Sequence, residues 1–240
     1  MLVVALIVFV GVFIQTVSGF GLGLVTMPFL ATMIGLDVAR PLMVLVAISA
    51  QSVVIFRTRH SLSLGTVGML SLLGFVGIPV GNWIAEAQVV PEPVLLGGLA
   101  VLITGYAAYA LLSLSVPELH NDRYGGLVGL LSGILTGAYN VGGPPVVIYA
   151  DARRWTPDAT RSNLQGFFLL KGVVLVIVHA LSQNFTPVVF TSYVWTIPAI
   201  VAGLVAGFTM YKWVNAALFR RVVLVLLLLT GLNMLYGVLF

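Results

Sequence analysis

The chain has 240 residues, 60% of them hydrophobic and 8% charged, where soluble domains carry roughly 25% charged residues. A mean hydropathy of +1.13 excludes a soluble globule and leaves no room for a soluble catalytic or nucleic-acid-binding domain. The net charge of +4 reads as the excess of Lys and Arg in cytoplasmic loops of membrane proteins, and the absence of cysteine removes disulfides, thiolate nucleophiles and Cys-ligated metals.

Charges and turn residues divide the chain into eight apolar segments, at 1–36, 41–56, 64–85, 94–115, 124–150, 162–181, 189–213 and 222–240. The first opens without a basic region and without a small-x-small cleavage site, so it reads as a membrane segment and not a signal peptide. As one straight helix it would measure about 54 Å against about 30 Å of hydrocarbon. The stretch "SGFGLG" at 18–23 breaks it, preceded by Gln15 and Thr16. Segment two carries Gln51. Segment three carries "GIPVG" at 77–81 and Asn82, which reads as interhelical packing. Segment four carries Gly98, an ordinary apolar-segment glycine and a natural comparison for the glycines of the breaks. Segment five is broken by "NVGGPP" at 140–145, with Thr136 and Tyr139 beside it. Segment six holds Lys171 near its centre and His179 near its end. Segments seven and eight are mainly apolar, with Asn233 in the last, which like Asn82 reads as interhelical packing.

The halves resemble each other. Asp37-x-x-Arg40 recurs as Asp158-x-x-Arg161, 121 positions later, and the same register lays Gly21 on Gly142. "GIPVG" matches "GLVAG" at 203–207, and "TGY" at 104–106 matches "TGL" at 230–232, now 126 apart. Internal symmetry of this kind is a transporter pattern. Loop charges choose between parallel and inverted halves. If every segment crosses once, seven basic residues face three across the membrane. If segments one and five start and finish on one side, Arg57, Arg59, Arg123, Arg153, Arg154, Arg161, Lys212, Arg220 and Arg221 share a side and Arg40 alone opposes them. The second arrangement fits better. The expectation is an all-α integral membrane protein of two inverted repeats, 1–115 and 124–240, of four hydrophobic segments each. The first segment of each half is then a Gly-broken hairpin, re-entrant or doubly spanning. Both termini lie outside, and 57–63, 116–123, 151–161 and 212–221 are cytoplasmic.

Non-helical backbone at membrane depth is tolerated where it is buried in protein or lines a wet cavity. Two such breaks at matching places mark a midplane substrate site. Pro144 and Pro145 suit a helix start near Gly143, which points free N–H groups and a positive dipole end at the break, as an anion site requires. The alternative for Gly21, Gly23, Gly142 and Gly143 is close helix packing through small residues. Lys171 in mid-span costs at least about 2.5 kcal/mol to insert, so it faces protein or water. No acid lies mid-span, which leaves carbonyls or substrate as its partner. Asn163 and Phe167 share its helix face, with Gln165 close by on another side. Gln51 falls within one residue of Lys171 in the repeat register, and Ser18 and Asn140 open the two breaks. Candidate substrate-binding residues are therefore Lys171, Asn140, Gly142, Gly143, Gly21, Gly23, Ser18, Gln51, Asn163 and Gln165.

No HExxH, Gly-x-Ser-x-Gly, Walker A or paired-carboxylate pattern occurs. Neither an enzyme nor a cofactor is expected, and the missing mid-span acids argue against a carboxylate-lined cation path. "SGFGLGLVTMPFLATMIGLDVARPL" and "LLSGILTGAYNVGGPPVVIYADARRWTPDATRSNL" resemble the paired signature segments of the sulfite exporter TauE/SafE family. The resemblance covers nearly the whole chain. It implies ATP-independent export of small sulfur-containing anions, such as sulfite or sulfonate-derived species. Carried onto this chain, its motifs fall on Ser18, Gly19, Gly21, Gly23 and Pro28, and on Gly137, Asn140, Gly142, Gly143 and Pro144. The first half lacks the Gly-Gly-Pro run, having Gly-Leu-Val instead. The reading is a secondary transporter that exports a small anion across the cell (inner) membrane by alternating access. Rivals are a passive anion channel and a non-catalytic membrane subunit of a larger complex. Expected partners are the bilayer, the anion and, optionally, further copies of the chain, but not nucleic acid.

Overall fold

The computed structural model describes residues 1–87, 90–112, 116–121, 123–211, 213 and 216–239. Residues 113–115 of segment four, Lys212, and the side chain of Arg220 lie outside the described residues. Within them the chain forms α1 (Leu2–Ser18), α2 (Leu22–Ile34), α3 (Leu36–Thr58), α4 (Leu64–Glu86), α5 (Glu92–Leu111), α6 (Tyr124–Tyr139), α7 (Gly143–Ala152), α8 (Pro157–Leu181), α9 (Pro187–Met210) and α10 (Ala216–Leu239), and no strand. A helix satisfies its own backbone, as a bilayer demands. Six helices are long and apolar enough to cross a membrane: α3, α4, α5, α8, α9 and α10.

The other four come from segments one and five. α1 ends at Gly19 with φ 85°, and α2 follows Gly21 with φ 105°, conformations that a Cβ disfavours. α2 then folds back along α1, so that Gly11 lies against Leu22 and Thr26. α6 ends at Asn140 with φ 56°, a residue that tolerates the left-handed region. α7 starts at Gly143 with Pro144 and Pro145 in its first turn. At 1.5 Å per residue the arms measure about 26, 20, 24 and 15 Å, each short of the roughly 30 Å hydrocarbon core.

Contacts sort the loops into two ends. At one end, Asn163 accepts from Ser63 N–H, Arg153 donates to Leu119 O, and Arg57 and Arg161 lie over the rings of Phe208 and Tyr211. At the other, Leu36, Asp37, Glu86, Glu92, Ser182 and Asn184 line a chamber of about 570 Å³. Two expectations about loops are corrected here. α3 begins at Leu36 and α8 at Pro157, so Arg40 and Arg161 sit inside helices and not in loops. Gly35 (φ 76°) ends α2 abruptly, and Asp37 then occupies the first turn of α3. Thr156 caps α8 by accepting from Ala159 N–H, with Asp158 in its first turn. Carboxylates there suit the positive helix end. The Asp-x-x-Arg repeat is thus a helix start that turns an arginine inward, and Arg40 is 1% exposed.

The largest interface packs α6 on α4; α1 packs on α9 and α5 on α10, while α3 crosses α8. Exchanging the first five helices with the last five reproduces these pairings. The ends of α1 and α6, the starts of α2 and α7, and the starts of α3 and α8 are each 121 positions apart. The "GIPVG" and "GLVAG" elements carry the hairpin arms. Gly77 and Gly81 of α4 lie on the backbone of α6 at Leu130, Gly133 and Ile134, and Gly203 and Gly207 of α9 lie on α1 at Phe9, Val12 and Thr16. Without a hydrophobic force between helices in lipid, such close backbone approach supplies the packing.

Gly81→Leu should therefore wedge α6 off α4 and lower the melting temperature in detergent by several degrees, since overpacking costs about 1–3 kcal/mol or more. Gly105→Leu, at a glycine with nothing within 4 Å of an added Cβ, should melt like wild type. Gly98 is unsuitable as a comparison, because its Cβ would meet the Tyr139 hydroxyl at 2.5 Å.

Candidate functional site

The two hairpin tips meet inside the helix bundle. The backbone of Gly23 lies against the carbonyl of Asn140, with no room for a side chain between them. Between the tips is a cavity of about 60 Å³, room for roughly four water-sized centres or one small anion. Its walls are the first turns of α2 and α7, the middle of α3 from Met43 to Gln51, and the middle of α8 from Phe168 to Leu175. No Asp or Glu lines it.

The walls supply donors. The first N–H groups of a helix have no intrahelical acceptor, and the helix dipole adds positive charge there. In α2 these groups belong to Gly21, Leu22, Gly23 and Leu24. In α7 the prolines leave only Gly142 and Gly143, so the second tip has half as many. Lys171 stands on that poorer side. It is 2% exposed, and its Nζ lies 2.8 Å from Ser132 Oγ and 2.6 Å from Thr136 Oγ1. The Ser132 hydroxyl donates to Gly142 O and that of Thr136 to Ser132 O. Both hydroxyl protons point away, and both oxygens present lone pairs to Nζ, as an ammonium needs. The rings of Phe167 and Phe168 lie 4.3 and 5.1 Å from Nζ, within cation–π reach. These two hydroxyls and two rings are what meets Lys171, and no carboxylate stands among them or in the cavity lining. The protein partners of the ammonium are hydroxyls of the hairpin arm, where the sequence alone offers carbonyls or substrate. Across the cavity, Gln51 is 6% exposed and its Oε1 has no partner, which leaves the carboxamide able to turn its NH₂ toward a ligand.

Seven of the ten residues singled out in the sequence line this cavity: Gly21, Gly23, Gln51, Asn140, Gly142, Gly143 and Lys171. Three lie elsewhere. Ser18 Oγ is bonded to the backbone of Ile14 and Phe20 and supports the first break. Gln165 donates to Gly19 O at 2.6 Å and accepts from Gln15, tying the same break to α8. Asn163 shares the helix face of Lys171 but stands two turns, about 12 Å, along the axis, where it holds Ser63 N–H. Ser132 was not legible as a site residue. Its only sequence signal is the position one turn before Thr136, and serines in membrane helices more often bond to their own backbone.

The sulfite exporter TauE/SafE family model matches residues 3–234. The chain belongs to that family of membrane transporters. No curated protein and no solved structure matches it.

Gly142 and Gly143 differ in the space behind them. A Cβ on Gly142 would overlap Thr136 Oγ1, Ser132 O and Lys171 Nζ, whereas one on Gly143 meets only Phe168 at 3.7 Å. Gly142→Ala should cost about 1–3 kcal/mol of stability by displacing the ammonium, and Gly143→Ala less than about 0.5 kcal/mol. Thermal unfolding in one detergent measures both.

Proposed function

We propose that the protein is a secondary transporter that exports a small sulfur oxyanion, sulfite or a close relative, by alternating access across the cell membrane. The observation that carries this reading is the carboxylate-free cavity between two helix N-termini, bounded by a buried ammonium with no acidic partner. Such a site is built for negative charge. In a desolvated setting each of these interactions is stronger than in water. Family membership names the class of cargo, and a cavity of about 60 Å³ favours compact oxyanions over longer sulfonates.

The halves 1–115 and 124–240 act as inverted repeats in this reading. Three helices long and apolar enough to cross a membrane follow each hairpin, and this supports the reading, since an odd number of crossings reverses the second half. With Arg40 buried in α3, no described basic loop residue opposes the cytoplasmic set. The charge distribution also fits export. Arg57, Arg59, Arg153 and Arg154 gather at the cytoplasmic end, and Asp37, Glu86 and Glu92 line the outer chamber, so anions are attracted on the side they leave and repelled on the side they reach.

Lys171→Gln should insert and fold yet bind sulfite about tenfold to a hundredfold more weakly, the equivalent of losing a hydrogen bond to a charged group; Lys171→Arg should retain part of the affinity, with the charge displaced. Calorimetry on purified protein reads both, and wild-type affinity in the Gln variant would remove Lys171 from the site. For topology, the cysteine-free chain allows single labels. His60→Cys should react with an impermeant maleimide only from the cytoplasm and Ser182→Cys only from outside. Labelling of both from one side would contradict the inverted arrangement.

A further inference from the structure

The breaks that expose helix N-termini to the cavity also create two helix C-termini, those of α1 and α6. These carry free carbonyls and the negative end of the dipole, close to where an anion would sit. Each is met by an arginine from the other half. Arg40 on α3 donates to Gly137 O at 2.8 Å, in the last turn of α6. Arg161 on α8 donates to Thr16 O, in the last turn of α1. The two donors are 121 positions apart, and so are the two acceptors. The left-handed residues that close these helices also lie in that register. Gly19 packs on the Cα, Cβ and Cγ of Arg161, and the Asn140 side chain reaches Arg40 O at 3.5 Å.

We infer that Arg40 and Arg161 are positioning residues for anion binding: crossed caps that cancel the negative helix ends, so that the tips present only their positive ends to the cavity. Neither guanidinium lines the cavity, so each acts through the helix end it covers. Their surroundings differ. Arg40 also donates to Asn82 Oδ1, and Asn82 passes the contact to Glu86 at 2.8 Å, so a carboxylate stands behind it. Arg161 rests on the Tyr211 ring at 4.5 Å and is half-buried. Loss of Arg161 therefore removes a less compensated charge and should have the larger effect.

This inference rests on the anion-site reading above, and the test separates the two. Sulfate and methanesulfonate are tetrahedral and close in size, with charges of −2 and −1. Coulomb energy scales with ligand charge, so an electrostatic cap weakens sulfate twice as much on a logarithmic scale. In Arg161→Gln we expect losses of about tenfold for methanesulfonate and about a hundredfold for sulfate, with the same trend, smaller, in Arg40→Gln. Arg161→Lys and Arg40→Lys, which keep the charge, should hold the sulfate-to-methanesulfonate ratio within about threefold of wild type. A purely structural arginine would weaken both anions equally, and an unchanged ratio in the Gln variants overturns the inference while leaving the site. Collapse of the ratio in the Lys variants also overturns it. Wild-type protein that binds neither anion removes the oxyanion site and this inference with it. Should Arg40→Gln fail to fold, Arg161→Gln, at the half-buried position, carries the test.

Discussion

A helix broken inside a bilayer leaves N–H groups on one side of the break and carbonyls on the other, with no water to take either. This protein contains two such breaks, and most of its polar interior answers them. The carbonyl side of each is covered by an arginine from the opposite half. At the first break, Gln165 and Ser18 add bonds to Gly19 O and Phe20 O. The N–H side is left open, and it faces the cavity. The glycine faces of α4 and α9 serve the same end, since they let α6 and α1 approach closely enough for their ends to reach α3 and α8, respectively.

The site that results is not symmetric, and prolines are the reason. Pro144 and Pro145 stiffen the start of α7 but remove two of its four free donors. α2, with Gly21, Leu22, Gly23 and Leu24 at the equivalent place, keeps all four. Lys171, Ser132 and Thr136 occur only on the proline side, where an ammonium takes the place of the lost N–H groups. In the 121 register the position of Lys171 in the first half is Ala50 and that of Ser132 is Gly11. The two tips therefore present different chemistry to the cavity, dipolar and backbone-made on one side, cationic on the other.

The breaks and the lysine were legible in the sequence because Gly, Pro and Lys stand out against lipid-like residues. The hairpins, the cavity-lining glycines and Gln51 followed from them. Arg40 and Arg161 were misread as loop charges because charged residues were taken to mark the segment limits, while the helix starts are set upstream by Gly35 and by the Thr156 cap. Asn163 was grouped with Lys171 because periodicity reports the face a residue shares and not its height along the helix, and it lies outside the cavity lining. Ser132 was missed because a hydroxyl in an apolar helix shows its partner only once a second element is packed against it.

The central claim is that an oxyanion sits between the two tips. Anomalous diffraction from crystals soaked in selenite tests it most directly, because selenium marks the anion itself. The account predicts one strong peak inside the cavity, within hydrogen-bond reach of Lys171 Nζ and of the N–H groups at Gly23 and Gly142. An empty cavity, with selenium found only at the surface arginines of the cytoplasmic end, would contradict it.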